Sequence, residues 1–183
     1  MRNFFLGIIV TLLALALGAL WYTRTGRVNF QADQAPTSLE RWFGGGASDA
    51  YVERNAPHVK NPVPATEQNV VAGAQLYMDH CAGCHGTPSS PDTALMHSFN
   101  PPVPRFFKHA PDMPDNQNFY VIEHGIRYTG MPAWDKTLSG QQMWQITAFL
   151  SAIPNLPPAA KQVLQPSSGT VPSPPAAGKS SKS

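Results

Sequence analysis

Three residues near the middle of the chain have the types and the spacing for covalent cofactor chemistry. They are Cys81 and Cys84, two thiols separated by two residues, and His85, which follows directly. Thiols at this separation can each form a thioether with a vinyl group of one haem, and the adjacent imidazole can then coordinate the iron. The chain holds no other cysteine. The segment therefore predicts one covalently attached c-type haem.

Other uses of the two cysteines remain open at this stage. A catalytic redox disulfide normally accompanies a βαβ pattern, which the sequence does not show, whereas a plain disulfide would require export of the chain. A zinc site would need two further ligands. The candidates His97 and His109 lie too far apart for the usual pair of zinc-binding histidines.

A helix is predicted to carry this segment. Thr66 is a suitable N-cap, and Glu67 in the first turn complements the helix dipole. Four residues then recur at helical spacing and form one stripe: Val70, Ala74, Tyr77 and Cys81. We expect this stripe to face the core and to deliver the first thiol to the cofactor.

The stretch after the haem segment is rich in proline and polar residues up to Pro114. Residues 100–104 can only form an extended loop, because three of the five are prolines. Such a loop needs an apolar object to lie against, and Phe106 and Phe107 are expected to help to wall the haem.

A second candidate ligand lies closer to the carboxyl end. A short helix is predicted from about Asn116 to His124, with Gly125 as its stop. Met131 follows, between Gly130 and Pro132, in a turn that cannot be helical. Beside a cofactor, its thioether would stand at a defined position.

The final predicted helix begins at Ser139, which forms a capping box with Gln142. Its buried stripe is expected to pack against the helix that carries Tyr77. The stripe consists of Met143, Ile146, Phe149 or Leu150, and Ile153.

The amino-terminal 25 residues are expected to form a transmembrane helix. The uncharged run from Phe4 to Tyr22 would span about 28 Å as a helix, close to the hydrocarbon thickness of a bilayer. A cleaved signal peptide is the alternative, since residues 14–16 and 16–18 resemble cleavage sites. The apolar run continues past both, which favours an uncleaved anchor.

Residues 26–65 are predicted to be a linker with one short amphipathic segment. Thr37 and Glu40 can form a capping box, and Leu39, Trp42 and Phe43 share one side of the following turn. This segment is expected to lie on a membrane surface, dock on the next domain or form a turn of no consequence. Residues 44–46, all glycine, are expected to end it.

The remaining boundaries follow from composition. Residues 66–154 are predicted to form the haem domain, and residues 155–183, rich in proline, serine and alanine, a disordered tail. Between residues 66 and 153, four basic residues stand against seven acidic ones. No nucleic-acid partner is expected, because no basic stripe lies on the folded part.

With both motifs located, the sequence resembles class I (mono-haem) cytochromes c, specifically the bacterial membrane-anchored type. The resemblance covers roughly residues 61–153 and rests on the segment 81–86, the loop 130–134 and the flanking helices in the expected order. It implies an all-α cytochrome c fold around one covalent haem, preceded here by the transmembrane helix.

The resemblance also implies roles for individual residues. Cys81 and Cys84 would form the thioethers, and His85 and Met131 would be the two axial ligands of the iron. The carbonyl of a proline, Pro101 or Pro102, would accept the Nδ1 proton of the histidine.

As a function, the resemblance implies one-electron transfer between redox protein partners, such as a dehydrogenase or oxidase complex, rather than enzymatic turnover by the chain itself. Haem of this type is attached outside the cytoplasmic membrane, so the domain is expected in the periplasm or otherwise outside. The alternative is a haem sensor or a catalytic haem subunit with a labile sixth ligand.

Overall fold

The computed structural model describes residues 1–165 of the 183-residue chain. Within these residues every regular element is a helix, and none is a strand. The all-α fold expected from the sequence is therefore confirmed. The chain divides into two compact units, the first covering Met1–Gln34 and the second beginning at Ala35.

The first unit is dominated by α1, Arg2–Arg24, a helix of 23 residues. It has a mean hydropathy of 2.5 over its most apolar window, and its side chains are exposed along the whole length. By length and composition it can cross a membrane, a test that an amino-terminal signal sequence also passes. The predicted apolar helix is confirmed, and its retention as an anchor stays a prediction.

The second unit begins with a continuous helical segment over residues 38–55. It consists of α2, Ser38–Glu40, a π-helical turn, Arg41–Gly45, and α3, Gly46–Asn55. The predicted capping box at its start is confirmed. The Thr37 hydroxyl accepts a hydrogen bond from the Glu40 amide, and the Glu40 carboxylate accepts one from the Thr37 amide.

The expectation that residues 44–46 end this helix was wrong. The three glycines are helical, although each costs about 1 kcal/mol relative to alanine in a helix interior. The other end of the segment is held by packing, since Val52 and Ala56 are buried and α3 contacts the helix at residues 115–124. Tertiary packing has overridden a local preference.

The rest of the domain is built from four further helices and two short 3₁₀ turns. The helices are α4, Glu67–His80, α5, Ala82–His85, α6, Asp115–His124, and α7, Gly140–Ala152; the 3₁₀ turns are Ala94–His97 and Ile153–Asn155. The predicted caps are present, because the Thr66 and Ser139 side chains accept hydrogen bonds from the third residue of α4 and α7.

The core lies where α4 crosses α7. At Gly73 a Cβ atom would lie only 2.1 Å from the carbonyl oxygen of Gln145, so this position has no room for a side chain. Beside the crossing, the rings of Tyr77 and Phe149, both fully buried, pack with centroids 5.0 Å apart. α6 also packs on α7, where Phe119 stacks on Trp144.

A further helix lies in what was predicted to be the tail. Residues 158–163 form α8, Pro158–Val163, which packs against α4. The residues Leu156, Ala160 and Leu164 are buried at a spacing of four. The predicted start of the disordered tail at residue 155 was therefore wrong, and residues 166–183 lie outside the described residues.

Candidate haem site

Both thiols and the imidazole lie in one tight turn at the end of α4. Cys81 is the C-cap of α4 and also the residue from which α5 begins. Its carbonyl oxygen accepts hydrogen bonds from the amides of Cys84, at 3.1 Å, and of His85, at 2.9 Å. The α4 helix therefore fixes the backbone of the whole segment.

The two cysteines are free thiols in the structure and only partly exposed. Burial raises the pKa of the Cys81 thiol to about 12, with a smaller contribution from the nearby Cys84. Cys81 packs against the core around Tyr77, whose hydroxyl donates to the carbonyl of Gly86 at 2.8 Å. Burial also raises the pKa of that phenol, so it stays a hydrogen-bond donor.

The imidazole of His85 is oriented by a backbone carbonyl. Its Nδ1 lies 3.0 Å from the carbonyl oxygen of Pro104. A carbonyl oxygen can only accept, so Nδ1 carries the proton and Nε2 keeps a lone pair for a metal. Burial lowers the pKa of His85, which favours the neutral, coordinating form, although the bond to Pro104 acts in the opposite direction. The ring also stacks on Phe106, with centroids 4.3 Å apart.

The assignment of this carbonyl to Pro101 or Pro102 was wrong. A hydrogen bond of 3.1 Å from the Val103 amide to the Met96 carbonyl holds the loop. The carbonyl of the next residue, Pro104, lies against the imidazole. Three prolines within four residues carry no sequence signal that separates one carbonyl from another. The bond from Val103 to Met96, seven residues earlier, helps to hold this register.

Two contacts hold the loop that carries Pro104. The hydroxyl of Thr93 donates to the carbonyl of Cys84 at 3.2 Å. The carboxylate of the preceding residue, Asp92, pairs with Lys108 and with Arg105, the latter at 2.9 Å. Hydrogen bonds from Lys108 and Arg105 lower the pKa of Asp92. Arg105 directly follows Pro104, so this ion pair ties the loop at Asp92 to the loop that carries Pro104.

Met131 lies in a loop stapled to the end of α6. Its carbonyl accepts from the Ile126 amide at 3.1 Å, and its amide donates to the Thr129 hydroxyl at the same distance. Gly125, the C-cap of α6, has a φ of +66°, and a Cβ there would lie 2.6 Å from the Met131 carbonyl. Met131 is half-buried and packs against the same core as Cys81.

The two phenylalanines expected to wall the haem both contact residues of this region. Phe106 stacks on His85, as described above, and Phe107 contacts the buried ring of Tyr77 with centroids 5.9 Å apart. The sequence did not single out Thr93 or Asp92, whose roles depend on partners nine to sixteen residues away.

The donor set fits a haem iron better than a bare metal ion. Over residues 1–165 no group of three histidine, cysteine, aspartate or glutamate side chains could hold a metal. The two cysteines, His97 and His109 are therefore not gathered into such a group in the described residues. Two thiols in one turn, an imidazole with a free Nε2 and a thioether in a stapled loop are instead groups of the kinds that a covalent haem with two axial ligands requires.

This all-helical domain and its site define a cytochrome c. Residues 68–150 match the family model described as "Cytochrome C oxidase, cbb3-type, subunit III". Residues 68–150 therefore form a cytochrome c domain, consistent with a mono-haem cytochrome c. No curated protein matches the chain.

Among solved structures, similarity is found to a chain of a reducing HAO-like protein complex from Kuenenia stuttgartiensis. The identity is 22%, the TM-score is 0.43, and the match covers 53% of this chain and 50% of that chain. The matched region thus spans half the length of that protein. At this TM-score the similarity supports no statement about function.

Proposed function

We propose that the chain is a membrane-anchored one-electron carrier with a single haem c, attached through Cys81 and Cys84 and ligated by His85 and Met131. The observation that carries the proposal is the hydrogen bond from His85 Nδ1 to the Pro104 carbonyl. It directs the only unprotonated ring nitrogen away from the protein backbone and makes it available to iron.

Each residue of the chain has a separate task in this proposal. Pro104 and Phe106 hold the imidazole, and the carbonyl partner increases the basicity of the ligand. The hydrogen bonds of Ile126 and Thr129 hold the Met131 thioether in its loop. The haem, when bound, supplies a reversible one-electron change between ferrous and ferric iron. A filled sixth position excludes substrate, so the chain acts as a carrier rather than as an enzyme.

The proposed location is the outer face of the cytoplasmic membrane. The helix α1 would act as an uncleaved anchor, and covalent haem attachment places the domain outside. The partners would be redox proteins, such as a dehydrogenase or oxidase complex. The description of the matching family names a subunit of an oxidase, which supports a role as a bound subunit beside that of a mobile carrier.

The test is the absorption spectrum of the full-length holoprotein in detergent. Ferric wild-type protein should be low-spin and show the methionine-to-iron charge-transfer band at the red end of the visible range. The variant Met131→Ala should lose the band and become high-spin, because the ligand has been removed. The control Met113→Ala, on a methionine outside the stapled loop, should keep the band.

Covalent attachment is tested on the same samples. Haem should remain with the chain after denaturing electrophoresis and should be lost from the Cys81→Ser/Cys84→Ser double variant. A high-spin ferric wild-type protein would contradict His/Met ligation and would favour a sensor or catalytic haem. Haem released from the denatured wild-type chain would contradict the thioethers.

A further inference from the structure

The amino-terminal part of the segment over residues 38–55 exposes three large apolar side chains. Leu39, Trp42 and Phe43 have 70%, 74% and 69% of their surface exposed. They are spaced at i, i+3 and i+4, so they share one helix face. We call these three residues the apolar patch. Exposed groups of this kind normally mark a binding surface.

The apolar patch is carried by a segment whose opposite end is fixed to the haem domain. Val52 and Ala56 are buried at that end, and the ring of Tyr51 packs against Tyr120 on α6 with centroids 6.4 Å apart. The 18 residues of the segment span about 27 Å as a helix. The carboxyl end of the segment is therefore packed on the domain, whereas the apolar patch at its amino end is exposed and is not part of the core.

The chain leading into the apolar patch comes directly from the apolar helix α1. Residues 25–37 separate the two, and 13 residues can span at most about 45 Å. Once α1 is in a bilayer, the apolar patch cannot move far from the surface of that bilayer. Its local concentration there is high without any further contact.

The composition of the apolar patch suits the boundary between lipid headgroups and acyl chains. Tryptophan and phenylalanine prefer this boundary, and an amphipathic segment buries them there. The guanidinium of Arg41, held by the carbonyl of Pro36 at 2.8 Å, adds a cation beside the apolar patch. The neighbouring carboxylate of Glu40 is engaged by the Thr37 amide within the capping box.

From these observations we infer that Leu39, Trp42 and Phe43 insert into the interface of the bilayer in which α1 is anchored, as a second membrane contact of the domain. The inference rests on the proposed membrane anchoring and goes beyond it, because a tether alone requires no contact by the domain. The haem domain would then be held at the surface through a helical segment rather than only by a linker.

The test uses the full-length holoprotein in nanodiscs that contain a photoactivatable lipid with its reactive group near the headgroup. After illumination, mass spectrometry locates the lipid adducts along the chain. Adducts are expected on residues 38–45 as well as on α1. The variant Leu39→Ser/Trp42→Ser/Phe43→Ser should reduce labelling of residues 38–45 by about tenfold, with α1 labelling unchanged.

The matched control is Val59→Ser, a substitution of another exposed apolar residue in the same unit, 55% exposed. It should leave labelling of residues 38–45 unchanged. Labelling of α1 without labelling of residues 38–45 would overturn the inference while leaving the anchor intact. Absence of label on both would instead overturn the proposed anchor and the inference with it. Cross-linking of residues 38–45 to a second chain in place of lipid would assign the apolar patch to a protein contact and overturn the inference.

Discussion

The imidazole of His80 packs on the indole of Trp134, with ring centroids 5.2 Å apart and an interplanar angle of 57°. His80 immediately precedes Cys81, and Trp134 lies three residues after Met131. The contact therefore joins the helix that ends in the thiols to the loop that carries the thioether. The Trp134 amide also donates to the Ile122 carbonyl at 3.1 Å, which ties the backbone at Trp134 to α6.

Replacement of His80 should loosen the Met131 loop. An aromatic pair of this kind contributes about 0.5–1.5 kcal/mol beyond its buried area. We expect His80→Ala to keep the methionine-to-iron band at room temperature and to lose it at a lower temperature than wild-type protein, as followed by absorption during heating. The exposed His97→Ala is the control and should behave as wild type. An unchanged temperature for His80→Ala would show that the stacking does not hold the loop.

Gly73→Ala should destabilise the domain severely. The added methyl group would lie 2.1 Å from the carbonyl oxygen of Gln145, and backbone atoms cannot rotate away. We expect a loss of about 3 kcal/mol in the free energy of unfolding, at the upper end of over-packing effects, measured by guanidinium denaturation. Gly140→Ala is the matched control, since a Cβ there meets nothing within 4 Å. A normal stability for Gly73→Ala would contradict the close crossing of α4 and α7.

The helix α8 should contribute to the stability of the domain. Leu164 is 2% exposed, so Leu164→Ala should cost roughly 2–5 kcal/mol through lost burial and a remaining cavity. Its neighbour Gln162 is exposed, and Gln162→Ala should change the free energy of unfolding little. Thermal denaturation of the two variants side by side distinguishes a packed helix from a loose tail. Equal melting temperatures would favour the tail.

Asp92 should make the stability depend on acid pH. Its pKa is lowered from 3.8 in the folded chain, so the ion pair stabilises the fold above that pH, and the stabilisation is lost as the pH falls through the lowered value. Relative to wild type, Asp92→Asn should be less stable near neutral pH, and the difference should vanish in strong acid. Denaturation curves across this range provide the measurement.

Local signals predicted much of the helical framework. Thr66 and Ser139 were identified as caps from their residue types and the residues of the following turn, and the stripe of Met143 and Ile146 is buried as its spacing indicated. These features depend on residues within one or two turns of each other, which the sequence displays directly.

The features that the sequence did not predict depend on distant partners. The helix α8 begins with a proline at its first position, which is a recognisable start signal, and its buried residues recur at a spacing of four. Its composition, however, resembles that of a disordered tail. The carbonyl of Pro104 meets His85, nineteen residues earlier in the chain, and the helix through the three glycines ends in α3, which packs on the distant α6. None of these partners can be read from the local sequence.

The crossing at Gly73 and Gln145 joins positions 72 residues apart, and the segment from Cys81 to His85 lies within the loop that this contact closes. Closing a loop of this length costs conformational entropy, and the packing of α4 on α7 offsets that cost only after the loop has closed. We therefore expect folding to depend on a contact between distant residues, although the domain is all helical. Before this contact forms, the two thiols lie in unfolded chain. In the folded domain Cys81 is half-buried and its pKa is raised to about 12, so little of the reactive thiolate is present. If haem is attached at the two sulfurs as proposed, bond formation is expected before α4 and α7 meet, while the thiols are still accessible.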